Sequence, residues 1–293
     1  MLSSHPGPAP LDPVGPVVTV ADLVALRAAG PVTLLDVRWR LGATDGFDRY
    51  AAGHLPGASY VDMDAVLADH AVVDGGRHPL PDVDLFGAAV RALGVRRDTP
   101  VVCYDAAGGT SAARAWWLLR HHGHERVAVL DGGYPAWVAA GHEVETGPGP
   151  EVEPGDFEPV PGAMPTASPA DLLDGRVVLD ARPQERYRGE VEPVDPVAGH
   201  VPGARSAPAV ANLGEDGLLR PDEELRARYA GLGALEEGAD VAVYCGSGIT
   251  AAHDVLVLEQ LGVRAALYPG SWSHWVSDPS RPVETGPGPG DAR

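Results

Sequence analysis

The feature that most constrains this chain is an internal duplication, visible as four short segments that recur in the same order. The period of a repeat decides which architecture it builds, and periods of about 20 to 50 residues indicate solenoids or propellers. Here the copies are separated by a domain-sized length of chain, so the sequence predicts two copies of one domain. The segments and their copies are Leu34–Arg38 and Val178–Arg182, Gly53–Ala58 and Gly199–Ala204, Leu130–Trp137 and Leu267–Trp275, and Glu145–Pro150 and Glu284–Pro289.

Composition sets the limits of the two domains. The stretch 146–162 is rich in Pro, Gly and Glu and lacks apolar periodicity, which is typical of a linker. We therefore predict a first domain over residues 17–145, a linker over 146–162 and a second domain over 163–286. Each domain is long enough to bury a hydrophobic core of its own.

Charge and composition exclude several classes of partner. The 22 cationic side chains are all arginines and are outnumbered by 41 acidic ones, which gives a formal net charge of −19. A chain this acidic repels phosphate backbones and anionic lipid surfaces, so we expect neither nucleic acid nor a membrane as partner. No apolar run is long enough to span a bilayer, and the first 16 residues lack a signal-peptide pattern. Two cysteines are too few for a disulfide framework, and we expect a cytoplasmic, reduced protein.

Short apolar runs alternate with helical patterns in both halves. Such runs, bounded by turn residues, predict buried strands at 32–37, 101–104, 127–130, 177–181, 241–244 and 265–268. The helices between them are predicted at 21–29, 82–93, 111–121, 221–231 and 251–261, the last with Thr250 as N-cap. Strands that are apolar throughout and separated by helices indicate an α/β fold in which each parallel sheet has helices on both faces.

One cysteine occupies a position suited to chemistry. Cys245 follows a predicted strand, two glycines follow within three residues, and a helix then begins. Ligands of parallel sheets bind at the carboxyl ends of strands, and glycine-rich turns before a helix direct amide groups toward an anion. A thiol in such a position ionises readily and becomes a nucleophile. Cys103 lies inside an apolar strand, so we interpret it as a core residue.

The chain resembles the tandem-domain rhodanese-type sulfurtransferases, the family of the thiosulfate and 3-mercaptopyruvate enzymes. The resemblance extends over about residues 17–286 and implies two rhodanese-like domains. It is carried by the paired Gly-His-x-Pro-Gly-Ala segments, the Cys-Gly-Ser-Gly-Ile-Thr loop at 245–250, the Gly-Ser-Trp-x-x-Trp segment at 270–275 and the repeated Asp-x-Arg strand ends. It also implies that only the second domain is catalytic, because Asp105 stands in the first domain where Cys245 stands in the second.

The family's chemistry implies a double displacement through Cys245. The cysteine takes the outer sulfur of a small donor as a persulfide and passes it to a thiophilic acceptor such as cyanide, a thiol or thioredoxin. The loop would hold the transferred sulfur, and no cofactor or metal is implied. We expect a monomer. By the resemblance, the donor-binding loop residues are Gly246, Ser247, Gly248, Ile249 and Thr250.

Arg186 matches the family's donor-binding arginine. A guanidinium suits a carboxylate or sulfonate because its fork can bind two oxygens at once. The alternative is a surface arginine paired with Glu185 or Glu190, since solvated ion pairs are common.

The sequence leaves two donors open. The loop after Cys245 carries no basic residue, as in 3-mercaptopyruvate enzymes, and Asp64 and His78 match the acid and histidine that relay protons with the loop serine, here Ser247. Asp195 instead resembles the thiosulfate enzymes, since 3-mercaptopyruvate enzymes have a second arginine there.

Two other functions are weaker alternatives. A cysteine phosphatase needs an arginine six residues after its nucleophile, and that position is Ala251. A non-catalytic sulfur-carrier or binding module is the other alternative. A binding module would be expected to lack the loop cysteine in both halves, and here only the first half lacks it.

Overall fold

Two separate all-parallel sheets form the centre of the molecule, and each has helices on both faces. The structure is a computed structural model that describes residues 15–289. The first sheet has the strand order β1-β5-β4-β2-β3, and the second has the order β7-β6-β8-β9. The strands are β1 (Val17–Val18), β2 (Thr33–Asp36), β3 (Ser59–Tyr60), β4 (Val101–Tyr104), β5 (Val127–Leu130), β6 (Val177–Asp180), β7 (Arg205–Ser206), β8 (Val241–Tyr244) and β9 (Ala266–Leu267).

Within residues 15–289, ten α-helices connect the strands, together with 3-10 turns at Asp171–Leu173 and Ala209–Asn212. In chain order they are α1 (Val20–Ala29), α2 (Gly46–Ala52), α3 (Met63–Val66), α4 (Val83–Ala92), α5 (Ala112–His121), α6 (Gly133–Ala139), α7 (Gln184–Tyr187), α8 (Asp222–Gly231), α9 (Ala251–Gln260) and α10 (Ser271–Trp275). Within residues 15–289, no helix combines the length and the apolar character that a membrane crossing requires.

The central strands explain why the sequence folds this way. Every residue of β4, β5 and β8 is buried, and these strands correspond to three of the apolar runs. Strands buried on both faces can be continuously apolar, because no face meets water. The α/β fold with two tandem domains is therefore confirmed. The two-residue strands β1, β3 and β7 were not predicted, because two residues cannot show a period.

Thr250 occupies the predicted N-cap position of α9, but its side chain does not cap the helix. Thr250 has helical backbone angles, φ −65° and ψ −29°, and its side chain makes no capping hydrogen bond. An N-cap residue needs an extended backbone for its hydroxyl to reach back to the amides of the first turn.

The predicted linker is attached to the first domain along part of its length. The Gly155 amide donates to the Arg91 carbonyl at 2.8 Å, and the Phe157 side chain is buried in the core. The Asp156 carboxylate accepts the Arg97 amide at 3.0 Å. These contacts fix the path of the chain at the end of α4.

The two domains share a hydrophobic core. Helix α5 of the first domain packs against α9 of the second, and these helices follow the equivalent strands β4 and β8. One continuous cluster of buried side chains includes Trp116 and Leu119 on α5 and Val255 and Leu258 on α9. Both loops that precede these helices therefore lie beside the domain interface.

Candidate active site

Cys245 lies directly after β8, at the carboxyl edge of the second sheet. Its side chain is only 3% exposed, and the Gly248 amide donates to its Sγ at 3.2 Å. Gly248 has a left-handed φ of 80°, and a side chain there would collide with the Pro269 carbonyl. The sequence Gly-Ser-Gly therefore allows the chain to turn tightly around the sulfur atom.

The start of α10 holds the backbone of Cys245. The Cys245 amide donates to Ser271 Oγ at 3.1 Å, and the Ser271 hydroxyl donates to the Tyr268 carbonyl at 2.9 Å. The Trp272 amide donates to the Cys245 carbonyl at 2.9 Å, and the Ser273 amide donates to the Gly246 carbonyl at 3.0 Å. Ser271 is the one non-glycine residue within 15–289 that has a left-handed φ, at 52°.

The corresponding loop of the first domain contains its own anion. The Asp105 carboxylate is buried and accepts four backbone amides. They belong to Ala107 at 2.8 Å, Gly109 at 2.9 Å, Ser111 at 2.8 Å and Ala112 at 3.1 Å. The loop geometry shared by the two domains is thus one that surrounds an anion at the end of the strand.

Further contacts show that Asp105 and Cys245 are equivalent. The Asp105 carbonyl accepts the Tyr134 amide at 2.8 Å, just as Cys245 accepts that of Trp272. The residue before Tyr134 is Gly133, whose φ of 54° matches that of Ser271. A side chain on Gly133 would collide with the Asp105 carbonyl, so this loop is closed more tightly than the loop around Cys245.

Arg186 faces the cysteine loop, and its partners differ from the surface pairs considered above. Its Nη2 lies 2.6 Å from Glu192 Oε1 and 3.1 Å from Asp195 Oδ2. Burial opposes ionisation of Glu192, but hydrogen bonds from Arg186 and from the amides of Asp195 and Val194 outweigh it and lower its pKa. The alternative pairing with Glu185 or Glu190 is therefore replaced by a nearly buried cluster of charges.

Asp195 contacts a second arginine that sequence reasoning missed. Arg77, from the first domain, places Nη1 2.7 Å from Asp195 Oδ1. A methyl group built on Gly246 would lie 3.2 Å from Arg77 Nη2 and 3.7 Å from Arg186 Nη1. Both guanidinium groups thus flank the residue that follows Cys245. No signal in the sequence alone pairs residues from opposite halves of the chain.

Of the three predicted relay residues, His78 and Asp64 lie together in the first domain, whereas no hydrogen bond within residues 15–289 joins either of them to Ser247. His78 Nε2 lies 3.6 Å from Asp64 Oδ1, which also lies 3.1 Å from His70 Nε2. The ring of Trp39 packs edge-on against that of His78, with centroids 5.4 Å apart. Burial, and secondly the positive charge of Arg114, lower the pKa of His78 to about 4. The imidazole is therefore neutral near pH 7, and its Nδ1 has no hydrogen-bond partner among residues 15–289.

A buried arginine connects the His78 segment to the cysteine loop. Arg114, on α5, donates through Nη1 to the Gly248 carbonyl at 3.3 Å and through Nη2 to the carbonyls of Leu67 and His78, both at 3.1 Å. Burial lowers its pKa to about 10, and the electrostatic interaction with the nearby Cys245 side chain acts in the opposite direction. The sequence signal that could have identified it is an arginine with apolar residues on both sides, Ala112–Ala113 and Ala115–Leu119, inside a predicted helix.

The remaining predicted residues lie in or beside the loop. Ser247 and Ile249 are buried, and the carbonyls of Ile249 and Thr250 accept amides from the first turn of α9. Cys103 is fully buried in β4, and burial raises the pKa of its thiol. Among residues 15–289, no group of three or more His, Cys, Asp or Glu side chains is arranged to hold a metal ion.

The sequence matches known proteins along nearly its whole length. The rhodanese-like domain family matches it twice, at residues 19–140 and 168–278. Over 279 residues it is 45% identical to a Mycobacterium tuberculosis protein named "Putative thiosulfate sulfurtransferase SseB", with 92% of this chain and 96% of that protein covered. It is 42% identical over 279 residues to the "Probable 3-mercaptopyruvate sulfurtransferase" of Pseudomonas aeruginosa, covering 92% of this chain and 98% of that one.

Solved structures are similar as well. The 3-mercaptopyruvate sulfurtransferase of Leishmania major superposes with a TM-score of 0.82 at 30% identity, covering 92% of this chain and 76% of that one. The crystal structure of the Escherichia coli 3-mercaptopyruvate enzyme gives a TM-score of 0.77 at 34% identity, covering 89% of this chain and all of the other.

Proposed function

Because the chain belongs to the rhodanese-like sulfurtransferases, we propose that it transfers sulfur through Cys245 in its second domain, with the first domain inert at the equivalent loop. The chain is a sulfurtransferase of the thiosulfate or 3-mercaptopyruvate type. What remains to be assigned is the residues that act and the donor that they accept.

The transfer proceeds in two balanced steps. The Cys245 thiolate attacks the outer sulfur of the donor and forms a new S–S bond, and the old bond to that sulfur breaks. Its electron pair leaves on sulfite if the donor is thiosulfate, or on the enolate of pyruvate if it is 3-mercaptopyruvate. An acceptor nucleophile then attacks the outer persulfide sulfur, and the Cys245 thiolate is released. Amide groups facing the sulfur stabilise the charge in both steps.

The observation that carries this proposal is the Asp105 carboxylate, an anion bound by the first-domain loop that is equivalent to the Cys245 loop. Four amides of the first domain hold the Asp105 carboxylate, and the residues in the matching places of the second domain are Ser247, Ile249, Ala251 and Ala252. We expect the outer sulfur of a persulfide on Cys245 to lie near these amides, as the Asp105 carboxylate does in the first domain. The Gly248 amide, 3.2 Å from Sγ, already donates to the sulfur before it is loaded.

The test is direct detection of the loaded enzyme. After incubation with either donor, the peptide that contains Cys245 should gain the mass of one sulfur atom, and addition of cyanide should remove it. The Cys245→Ser variant should neither gain sulfur nor transfer it, whereas Cys103→Ser should do both. Sulfur transfer by Cys245→Ser at the parent rate would overturn the assignment.

We propose 3-mercaptopyruvate as the donor, because its chemistry uses groups that this site contains. The enolate that leaves must be protonated, and His78, Asp64 and Ser247 together can deliver a proton from water. A neutral, buried imidazole next to an exposed carboxylate suits such a relay, because the ring can accept a proton at one nitrogen and donate one from the other. Sulfite, the product from thiosulfate, needs no proton.

Thiosulfate is the second candidate, and Asp195 is the observation that favours it. This carboxylate stands where 3-mercaptopyruvate enzymes have a second arginine. Steady-state kinetics with the two donors side by side separates the candidates. His78→Gln should lower kcat/KM for 3-mercaptopyruvate by at least tenfold more than for thiosulfate, and the reverse order would identify a thiosulfate enzyme.

The cellular setting is part of the same proposal. Both cysteines are unpaired, which supports a reducing cytoplasmic location. We propose a monomer that passes its sulfur to a thiol, to cyanide or to thioredoxin. We keep the domain limits at 17–145 and 163–286, with 146–162 as the connection between them.

A further inference from the structure

A second histidine shares the carboxylate next to His78. His70 Nε2 lies 3.1 Å from Asp64 Oδ1, the same oxygen atom that lies 3.6 Å from His78 Nε2. The rings of His70 and His78 meet edge to face, with their centroids 5.9 Å apart. One oxygen atom thus stands between two imidazole rings, and the proton path described above uses only one of them.

The three side chains form a row that leads from water into the protein. Those of His70 and Asp64 are 51% and 56% exposed, whereas that of His78 is 4% exposed. Arg114 binds the His78 carbonyl at 3.1 Å, and it also binds the carbonyl of Gly248 in the cysteine loop. The inner end of the row is therefore joined to the cysteine loop, and its outer end is in contact with solvent.

Backbone contacts fix the place of His70 beside His78. The Asp69 amide donates to the Pro79 carbonyl at 3.2 Å, so the residue before His70 is joined to the residue after His78. An ion pair between two side chains that are both half exposed adds little to stability. The position of the segment therefore does not depend on the His70 ring.

The relay needs a group that carries a proton near pH 7. Burial, and secondly the charge of Arg114, lower the pKa of His78 to about 4, with smaller effects from Asp64, Arg77 and His70. A carboxylate in water is an acceptor of protons at pH 7 and not a store of them. An imidazole in contact with water, by contrast, exchanges protons with it between about pH 5 and pH 8. In this row, His70 is the imidazole in contact with water.

We propose that His70 is a positioning residue that acts through Asp64, holding its carboxylate toward His78 and passing it a proton from water during turnover of 3-mercaptopyruvate. This inference rests on the proposed function and on the proposed donor. It gives the relay an outer member that the Asp64, His78 and Ser247 set does not contain.

The proton balance of the step is simple. When the C–S bond of the donor breaks, its electron pair remains on the enolate of pyruvate, which takes up one proton. His70 gives its Nε2 proton to Asp64 Oδ1, and Asp64 passes one to His78 Nε2. His78 then gives up the proton on Nδ1 to the enolate, directly or through Ser247. Water returns a proton to His70, and proton exchange restores the tautomer of His78.

The first test compares the two donors in the full-length enzyme, with cyanide as acceptor. In dilute buffer, His70→Gln should lower kcat for 3-mercaptopyruvate about tenfold. It should leave kcat for thiosulfate within twofold of the parent value, because sulfite leaves without a proton. The midpoint of urea unfolding should remain that of the parent. An unchanged kcat for 3-mercaptopyruvate, or equal losses with both donors, would overturn the proposal.

The matched control changes another histidine of the first domain. The ring of His142 stacks on that of Trp137, with centroids 4.4 Å apart. His142→Gln should therefore behave as the parent with both donors. A loss with 3-mercaptopyruvate as large as that of His70→Gln would show that the effect does not depend on the place of His70, and the proposal would fail.

Chemical rescue separates proton supply from structure. Imidazole added at pH 7 should restore most of the kcat of His70→Gln for 3-mercaptopyruvate and should leave the parent unchanged, because a small buffer can deliver the missing proton to Asp64. A variant that only loosened the segment would gain nothing from imidazole. A loss that imidazole does not restore would therefore contradict the proposal.

The double variant tests the path through the carboxylate. Asp64→Asn should lower kcat for 3-mercaptopyruvate at least as much as His70→Gln, and the two changes together should cause no further loss. Losses that multiply would contradict a path through Asp64. If His78→Gln leaves turnover of 3-mercaptopyruvate unchanged, the proposed relay itself fails. If His78→Gln lowers it and His70→Gln does not, only the present inference fails.

Discussion

At the scale of single residues, Ser271 combines a left-handed backbone with a hydrogen bond from the Cys245 amide. The equivalent residue in the first domain is Gly133, which adopts this conformation without steric cost. A left-handed conformation costs a residue with a side chain about 1 to 2 kcal/mol. The Ser271 hydroxyl offsets part of this cost because it accepts the Cys245 amide and donates to Tyr268.

Substitution of Ser271 separates strain from hydrogen bonding. Ser271→Ala keeps the left-handed backbone and loses both hydrogen bonds, so it should be destabilised by about 1 to 3 kcal/mol. Ser271→Gly loses the same bonds but relieves the strain, so it should be about 1 kcal/mol more stable than the alanine variant. Both should lower kcat, because the Cys245 amide loses its hydrogen-bond acceptor and the loop is held less firmly. Urea unfolding and kcat measure the two effects, and parent-like kcat in both variants would contradict this role.

His78 makes stability depend on pH. The unfolded chain protonates this imidazole near its ordinary value of about 6.5, whereas in the folded protein its pKa is lowered to about 4. Between these values the unfolded state binds more protons, so stability should fall as the pH drops from about 6.5 to about 4, by up to about 3 kcal/mol.

The check compares urea unfolding of the parent with that of His78→Gln at about pH 7 and about pH 5. The parent should lose more stability than the variant over this interval. Other buried histidines contribute equally to both proteins, so the difference isolates His78. Parallel losses would show that the imidazole is not kept neutral by folding.

At the scale of secondary structure, the sequence identifies elements whose pattern is local. Strands β4, β5 and β8 have the bounds predicted from their apolar runs. All five predicted helices form, and each observed end lies within one residue of the predicted one. The short helices α3, α7 and α10 were missed, because four or five residues do not show a helical period. The position of the 67–79 segment over the cysteine loop depends on Arg114, a contact between halves that no local pattern records.

Arg114 is the residue of α5 whose loss should be most damaging. Arg114→Met removes the donors to the carbonyls of Leu67, His78 and Gly248, and leaving buried carbonyls without partners should cost about 3 kcal/mol or more. Because the same segment carries His78, kcat/KM for 3-mercaptopyruvate should fall as well. Thermal unfolding and donor kinetics measure both effects.

A neighbouring arginine on the same helix provides the control. Arg120 pairs with Glu259 at the edge of the interface, with both side chains partly exposed. Arg120→Met should therefore cost less than about 1 kcal/mol, as is usual for solvated ion pairs. Similar losses in the two variants would mean that Arg114 is an ordinary interface contact.

At the scale of the whole molecule, the two domains have equivalent loops at the ends of β4 and β8, and we propose that only the loop with Cys245 accepts a donor. The sequence predicted this division, because the aligned position holds Asp105. It could not show that the carboxylate takes up four amides, since that depends on the backbone of the loop.

Substitution of Asp105 should therefore lower the stability of the protein without changing its rate of sulfur transfer. Asp105→Asn replaces one acceptor oxygen with an amide group that faces two amide donors, which should destabilise the protein by about 2 to 4 kcal/mol. Sulfur transfer per folded molecule should be retained, because Asp105 is not part of the donor site. The exposed Asp174→Asn provides a control with the same change of charge. A parent-like unfolding midpoint for Asp105→Asn would show that the four hydrogen bonds contribute little.

The core that α5 and α9 share has a consequence for how the enzyme could be divided. A chain cut between residues 146 and 162 would yield two fragments, each with Trp, Val and Leu side chains at a face made to meet the other. Expressed alone, the fragment containing Cys245 would aggregate and would lack Arg77, His78 and Arg114. Produced together, the fragments should reassemble and recover activity, so that a split version reports their association by the sulfur it transfers.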